Sequence, residues 1–322
     1  MSKSAIEAQK INSLITEGKT IQAIKMENSY DTTQWYNYSA KAYKINLENE
    51  RQKRSENERD PHISTTSRND VVSILELNEL LANYALLIPV FSTMTDFKQV
   101  KTLASDLPLT EPQIIQLIGD LAMHPRLRVM QKKGRFEQFE YFKNFSKFID
   151  AAVLSFYRAN YISCYLTLVP VIEGVIIRWM GYKEHDLKPE FEDIRKFFKN
   201  THVRQPSPWN IEFHDIYVRV CNKIINDHFY RPSTKGQAHE DFNRHVASHL
   251  LNDNKFANKK NCVRLFILID AMAEIYFYES RRRDDPRFSL RNDEMERDII
   301  SFTEAMLATS ISSPEQVVLN LH

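Results

Sequence analysis

Apolar residues recur along this chain three and four positions apart and seldom alternate strictly, which is the pattern of helices packed against a core. Residues 1 to about 45 read as one or two amphipathic helices, with Ile6, Ile11, Leu14 and Ile15 on one apolar face and Ile21, Ile24 and Met26 on the next. Trp35, Tyr36, Tyr38 and Tyr43 follow; aromatics in a helical segment are more often core than a ligand platform. Asn46 to Asp60 is nearly all polar or charged, so it reads as a solvated helix end or linker with a boundary near Pro61. Ser67 to Phe97 predicts a helix with a wide apolar face from Val72 to Leu87, ended or kinked at Pro89. Thr110, Glu111 and Pro112 form a start signal for a helix reaching about Met123. The stretch from Leu127 to Phe139 reads as a hairpin turning at Gly134, a weak hint of a winged-helix DNA reader.

From Phe145 the pattern strengthens. Phe145 to Arg158 and Tyr161 to Gly181 predict two helices separated at Ala159 and Asn160, the second closed by Gly181. That second helix is apolar almost all round, so it belongs in the middle of a bundle. Glu173 lies inside it, and a buried carboxylate needs a cation or several donors. The choices are Arg178 on the same helix, a backbone amide, or Arg244. Pro189 to Lys199, Trp209 to Phe229, Cys262 to Tyr278 and Asp293 to Leu307 predict further helices.

Composition agrees with this picture. The 322 residues include only six glycines, and the expected fold is all-α. A mostly helical N-terminal domain precedes a C-terminal helical bundle: a helical segment with polar linker over 1–60, a helical domain of unassigned role over 61–144, the bundle over 145–282, and a last helix and tail over 283–322. The formal charge of +1 gives no global attraction to nucleic acid or anionic membrane. Cys164, Cys221 and Cys262 are far apart in sequence and read as buried thiols of a reducing cytosol. The N-terminus has no signal-peptide core, and the longest apolar runs, Tyr165 to Met180 and Val263 to Tyr278, are broken by charges. The expectation is a soluble, cytoplasmic protein with no membrane partner.

The stretch that carries chemistry is Asp241 to Leu251, D-F-N-R-H-V-A-S-H-L-L. His245 and His249 form an i, i+4 pair on a short helix, and Arg244, about 140° around from His249, reaches it by curling its long side chain. His249 falls at the margin of the arc of Phe242, Val246 and Leu250, where an imidazole is half-buried beside a guanidinium. No H-E-x-x-H, cysteine pair at finger spacing, P-loop, dinucleotide fingerprint or nucleophile elbow occurs, so no cofactor is expected. An arginine followed by a histidine is a weak string, and Arg178 to His185 and Arg195 to His202 match it too. Only Arg244 to His249 lies within one helix framed by two apolar helices.

In this context N-Y-I-S-C-Y-L-T-L-V-P-V-I-E-G-V-I-I-R at 160–178, F-N-R-H-V-A-S-H at 242–249 and N-C-V-R-L-F-I-L-I-D-A-M-A-E at 261–274 resemble, in that order, the HEPN superfamily, most closely bacterial members with the motif N-R-H-x-x-x-H. The resemblance covers about 145–282. It implies an α-helical bundle and a metal-independent endoribonuclease, often in toxin, abortive-infection or anti-phage roles, acting as a homodimer. Arg244 and His249 would be the catalytic pair, with His245 the polar residue after the arginine; apart from the resemblance, Glu173, as a buried carboxylate in need of a cation, and its motif neighbour Asn243 are the supporting candidates. Leu250 stands where related motifs often have glycine. The partners implied are RNA, a second copy, and an antitoxin or phage-derived trigger. RNA chemistry suits these residues: the 2′-hydroxyl attacks its own phosphate, histidine moves protons near neutral pH, and a guanidinium stabilises charge on phosphoryl oxygens. Lys235, Lys255, Lys259, Lys260 and Arg264 are candidates to guide the RNA backbone, with plain solvated surface as the other reading. The alternatives are a non-catalytic binding or interaction module of the same bundle type and a DNA-binding regulator.

Overall fold

A computed structural model describes residues 2–17, 19, 21–55, 68–106, 110–182, 189–198, 205–206, 211–231, 242–244, 255–280, 285–286, 290–308 and 318. The chain is all-α, with fourteen α-helices and no strand among the described residues.

α1 (Lys3–Thr16), α2 (Ile21–Glu27) and α3 (Thr32–Ser55) form a helical arm with its own small core of Ala8, Ile11, Ile15, Ile24, Trp35 and Ala42. Trp35 and Tyr43 are buried, whereas Tyr36 is exposed. α3 runs on to Ser55, through much of the polar stretch read as a solvated helix end or linker, so as far as Ser55 the first of those readings holds. Polar bonds tie the arm to the rest: Tyr43 bonds His214 at 3.2 Å, and Arg51 lies 3.8 Å from Glu212.

α4 (Arg68–Ala82) is shorter than the predicted helix from Ser67 to Phe97. It stops before Pro89, at a turn where Ala85 takes a φ of 57°. The buried Asn78 explains the stop: its Oδ1 accepts the Ile88 N–H at 2.9 Å, which ties the non-helical Leu86 to Ile88 into the core. α5 (Met94–Asp106) then begins afresh, capped by reciprocal bonds in which Thr93 N–H donates to Asp96 Oδ2 at 2.7 Å and Asp96 N–H to Thr93 Oγ1 at 3.2 Å. α6 (Glu111–Ala122) starts where predicted, behind Thr110 and with Pro112 in its first turn.

The hairpin expected at Gly134 does not form. α7 (Pro125–Gln131) passes directly into a π-helical turn over Lys132–Phe136. Helical geometry buries Arg128 and Arg135 against Asp270 and Glu274, which lie one turn apart on a neighbouring helix. Without strands the winged-helix reading loses its wing.

α8 (Glu140–Lys143), α9 (Ser146–Tyr157) and α10 (Tyr161–Trp179) follow. Ala159 has a φ of 56° at the break, the Asn160 side chain accepts the Ser163 N–H at 3.1 Å, and Gly181, with a φ of 93°, ends the second helix as predicted. α11 (Phe191–Lys196) and α12 (Ile211–Lys223) come next, and α12 continues as a π-helical turn over Ile224–Phe229. α13 (Lys259–Ser280) and α14 (Asn292–Ala308) complete the set.

α13 is the central element: every residue from Asn261 to Ile275 is buried, and it packs against α6, α10 and α12. α6 approaches it closely at Gly119, where a Cβ would stand 2.9 Å from Val263 Cγ2. Leu77 of α4, Ile118 of α6, Val153 of α9, Val175 of α10, Val220 of α12 and Phe302 of α14 share one apolar core with it, and that core is unbroken at residues 144 and 145. α10 is, among the described helices, the one long and apolar enough by composition to cross a membrane; its buried face packs on α9 and α13. Cys164, Cys221 and Cys262 are all buried, and burial pushes the thiols of Cys164 and Cys221 up.

Candidate functional site

Glu173 projects from the second half of α10, and its neighbour Gly174 allows α9 to begin close by. A Cβ at Gly174 would stand 2.7 Å from Cζ of Phe145, the residue before α9. Arg178, the same-helix candidate for pairing with Glu173, instead lies over the Phe145 ring at 4.6 Å. The carboxylate is met by Arg244, whose Nε donates to Glu173 Oε1 at 2.6 Å. With side chains 31% and 19% exposed, Arg244 and Glu173 form a half-buried pair.

The residues before Arg244 fix where it stands. Phe242 is buried, edge-on to Tyr165 at 6.3 Å and beside Phe229 at 5.9 Å. Asn243 is buried too, and its Nδ2 donates to the Arg231 carbonyl at 2.9 Å. Phe229 and Arg231 flank the end of the π-helical turn, so that turn and the motif are locked together. His245 and His249, the other members of the expected catalytic set, lie outside the described residues, as do Leu250 and Lys235.

Tyr230 is the site residue that sequence reasoning missed. Its hydroxyl donates to the same Glu173 Oε1 at 2.8 Å. Burial, reinforced by the Glu173 charge, pushes this phenol up, so it stays a donor through the neutral range. Three segments distant in sequence therefore converge on one carboxylate oxygen: α10, the end of the π-helical turn and the motif.

The expected RNA-guiding cations divide. Lys255 sits in an exposed turn. Lys259 pairs with Asp120 of α6 at 3.2 Å, and Lys260 lies 3.7 Å from Glu111. Arg264 is buried, under the Phe242 ring at 5.7 Å and bonded to Glu111 at 2.7 Å, so it braces the core beneath the motif rather than presenting charge at the surface. No family model matches this chain, and no curated protein and no solved structure matches it either.

The geometry has a definite chemical meaning. A guanidinium held by its Nε edge is fixed in plane, which suits two-pronged contact with phosphoryl oxygens. The anionic partner keeps the cluster's charge low enough to tolerate partial burial.

Proposed function

We propose that this chain is a metal-independent endoribonuclease of HEPN type. In this reading Arg244 holds and neutralises the scissile phosphate, His249 moves the protons of 2′-hydroxyl attack and departure of the 5′-oxygen, and His245 assists. The observation that supports the reading is the Glu173–Arg244 pair, in which the motif arginine is bonded, oriented and half-exposed beside the apolar helix α10. A homodimer belongs to the proposal. Less than half of the apolar window of α10 is buried, and Leu166 of α10 and Phe148 of α9 remain 41% and 56% exposed, apolar side chains that a second copy would cover. A toxin or anti-phage role is the biological setting proposed, with an antitoxin or phage-derived trigger as partner.

A second reading, a non-catalytic binding or interaction module, is favoured by the same triad seen differently: Tyr230, Glu173 and Arg244 would then be a polar knot joining three segments. Matched RNA oligonucleotides with free and with methylated 2′-hydroxyls separate the two. The nuclease cuts the first and leaves the second intact; cutting of both would remove the 2′-hydroxyl mechanism, and cutting of neither favours the module.

A further inference from the structure

We propose that Tyr230 is a positioning residue for Arg244, acting through Glu173: the juxtaposition of the Tyr230 hydroxyl and Arg244 Nε on one oxygen, Glu173 Oε1, sets the plane of the guanidinium. The functional consequence, orientation of an RNA phosphodiester, rests on the nuclease reading; the clamp itself does not.

A carboxylate on a helix turns about its last side-chain bond, and its rotation would carry any arginine bonded to it. Tyr230 stops that rotation from a rigid base. Its ring is 1% exposed, packed edge-on against Phe229 at 5.0 Å, and the π-helical turn is closed by Tyr230 N–H donating to the Ile225 carbonyl at 2.8 Å. π-helical turns recur at functional sites, where the extra residue redirects a side chain. Here the residue so placed is Tyr230. Phenylalanine would fill the same volume, so the hydroxyl is the part that packing alone does not require. With its pKa pushed up by burial, it serves as a fixed donor to Glu173 Oε1.

Glu173 thus has two donors on one oxygen, one from each neighbouring segment. Arg244 is held by Nε, and its two Nη groups form the end-on edge of the guanidinium. In the nuclease reading that edge meets the phosphate, so its orientation acts on the chemical step more than on RNA affinity.

The test uses the full chain with arginine ¹⁵N-labelled, the Arg244 Nε–H signal being identified by its loss in Arg244→Lys. In the wild type this proton is expected to exchange slowly with solvent, being bonded to Glu173. Tyr230→Phe is expected to speed its exchange about tenfold or more, the weight of one hydrogen bond to a charged group. Glu173→Asp, which keeps the charge and shortens the side chain, is expected to abolish protection. Both are read at matched circular dichroism, and Glu173→Asp serves alone if Tyr230→Phe does not fold. Unchanged exchange in Tyr230→Phe, or in Glu173→Asp where that variant alone is read, overturns the clamp. RNA incubated with the same samples separates the two ideas. A protected, Tyr230-dependent Nε–H without cleavage keeps the clamp and refutes the nuclease; cleavage at equal kcat in wild type and Tyr230→Phe keeps the nuclease and refutes the positioning role.

Discussion

Removing Glu274 should cost this fold more than any surface change, and the size of the loss follows from how Arg135 is enclosed. Arg135 and Glu274 are 0% and 1% exposed in their side chains, with Nε to Oε2 at 2.8 Å and Nη2 to Oε1 at 3.1 Å. Asp285 takes the other side of the guanidinium at 2.8 Å, and the Phe277 ring stacks on it at 4.4 Å. Burial on its own would lower the arginine pKa, but the two carboxylates more than offset it and hold it above its ordinary value. Glu274→Leu leaves that cation with only Asp285 as its carboxylate. Breaking a buried pair by deleting one partner costs about 3–5 kcal/mol, and the surviving Asp285 contact places the expectation near the lower end, about 3 kcal/mol. Urea unfolding followed by circular dichroism should show a lower midpoint at unchanged slope. The double change Arg135→Met with Glu274→Leu should recover part of the loss, since it removes the stranded cation, although the buried Asp285 gives up its Arg135 bonds. A single-variant loss below about 1 kcal/mol, or a double variant no better than the single, would refute the claim that the burden is an unpaired buried cation.

Three further outcomes follow from other contacts. Gly174→Ala drives a Cβ to 2.7 Å from Phe145 and should lower stability by about 1–3 kcal/mol, read as a fall in melting temperature; an unchanged melt would mean that α9 and α10 do not approach as described. Glu79 is held below the ordinary carboxylate range by its bond to Arg219, so its contribution is present above the unfolded value near ~4.3 and is lost as pH falls through the lower folded value. Glu79→Gln should therefore flatten the stability profile in that acid range, and a profile identical to wild type would contradict the pairing. His214→Ala removes the bonds to Tyr43 at 3.2 Å and Glu279 at 2.8 Å that tie α3 to α12 and α13, so amide exchange should quicken in α1–α3 and hold steady in α9 and α10. Uniform quickening across both regions would show that the arm does not open separately.

Much of this architecture could be read from residue spacing because its causes are local. Thr110 with Pro112 marks a helix start, Gly181 marks a stop, and the nearly uninterrupted apolar run of α10 belongs in a core wherever it is placed. Glu173 inside that run already required a donor, and Arg244 was one of three choices on chemistry alone. What stayed hidden depends on contacts between distant residues. Asn78 ends α4 by bonding Ile88, which no periodicity reports. Arg128 and Arg135 look like surface charges in a basic stretch, and only their carboxylates on α13 reveal that they are buried. Tyr230 was invisible for a geometric reason: the π-helical turn before it breaks the 3.6-residue period that assigns side chains to faces.

In the nuclease reading the motif that holds Arg244 and His249 cuts RNA. This is tested most directly by incubating the purified full chain and its His249→Ala variant with total RNA and a tRNA pool in EDTA, with folding matched by circular dichroism and the ends analysed chemically. Cleavage by the wild type alone, leaving 2′,3′-cyclic phosphate ends, is the expected result; equal cleavage by both proteins, or none by either at high concentration, would contradict a nuclease built on His249.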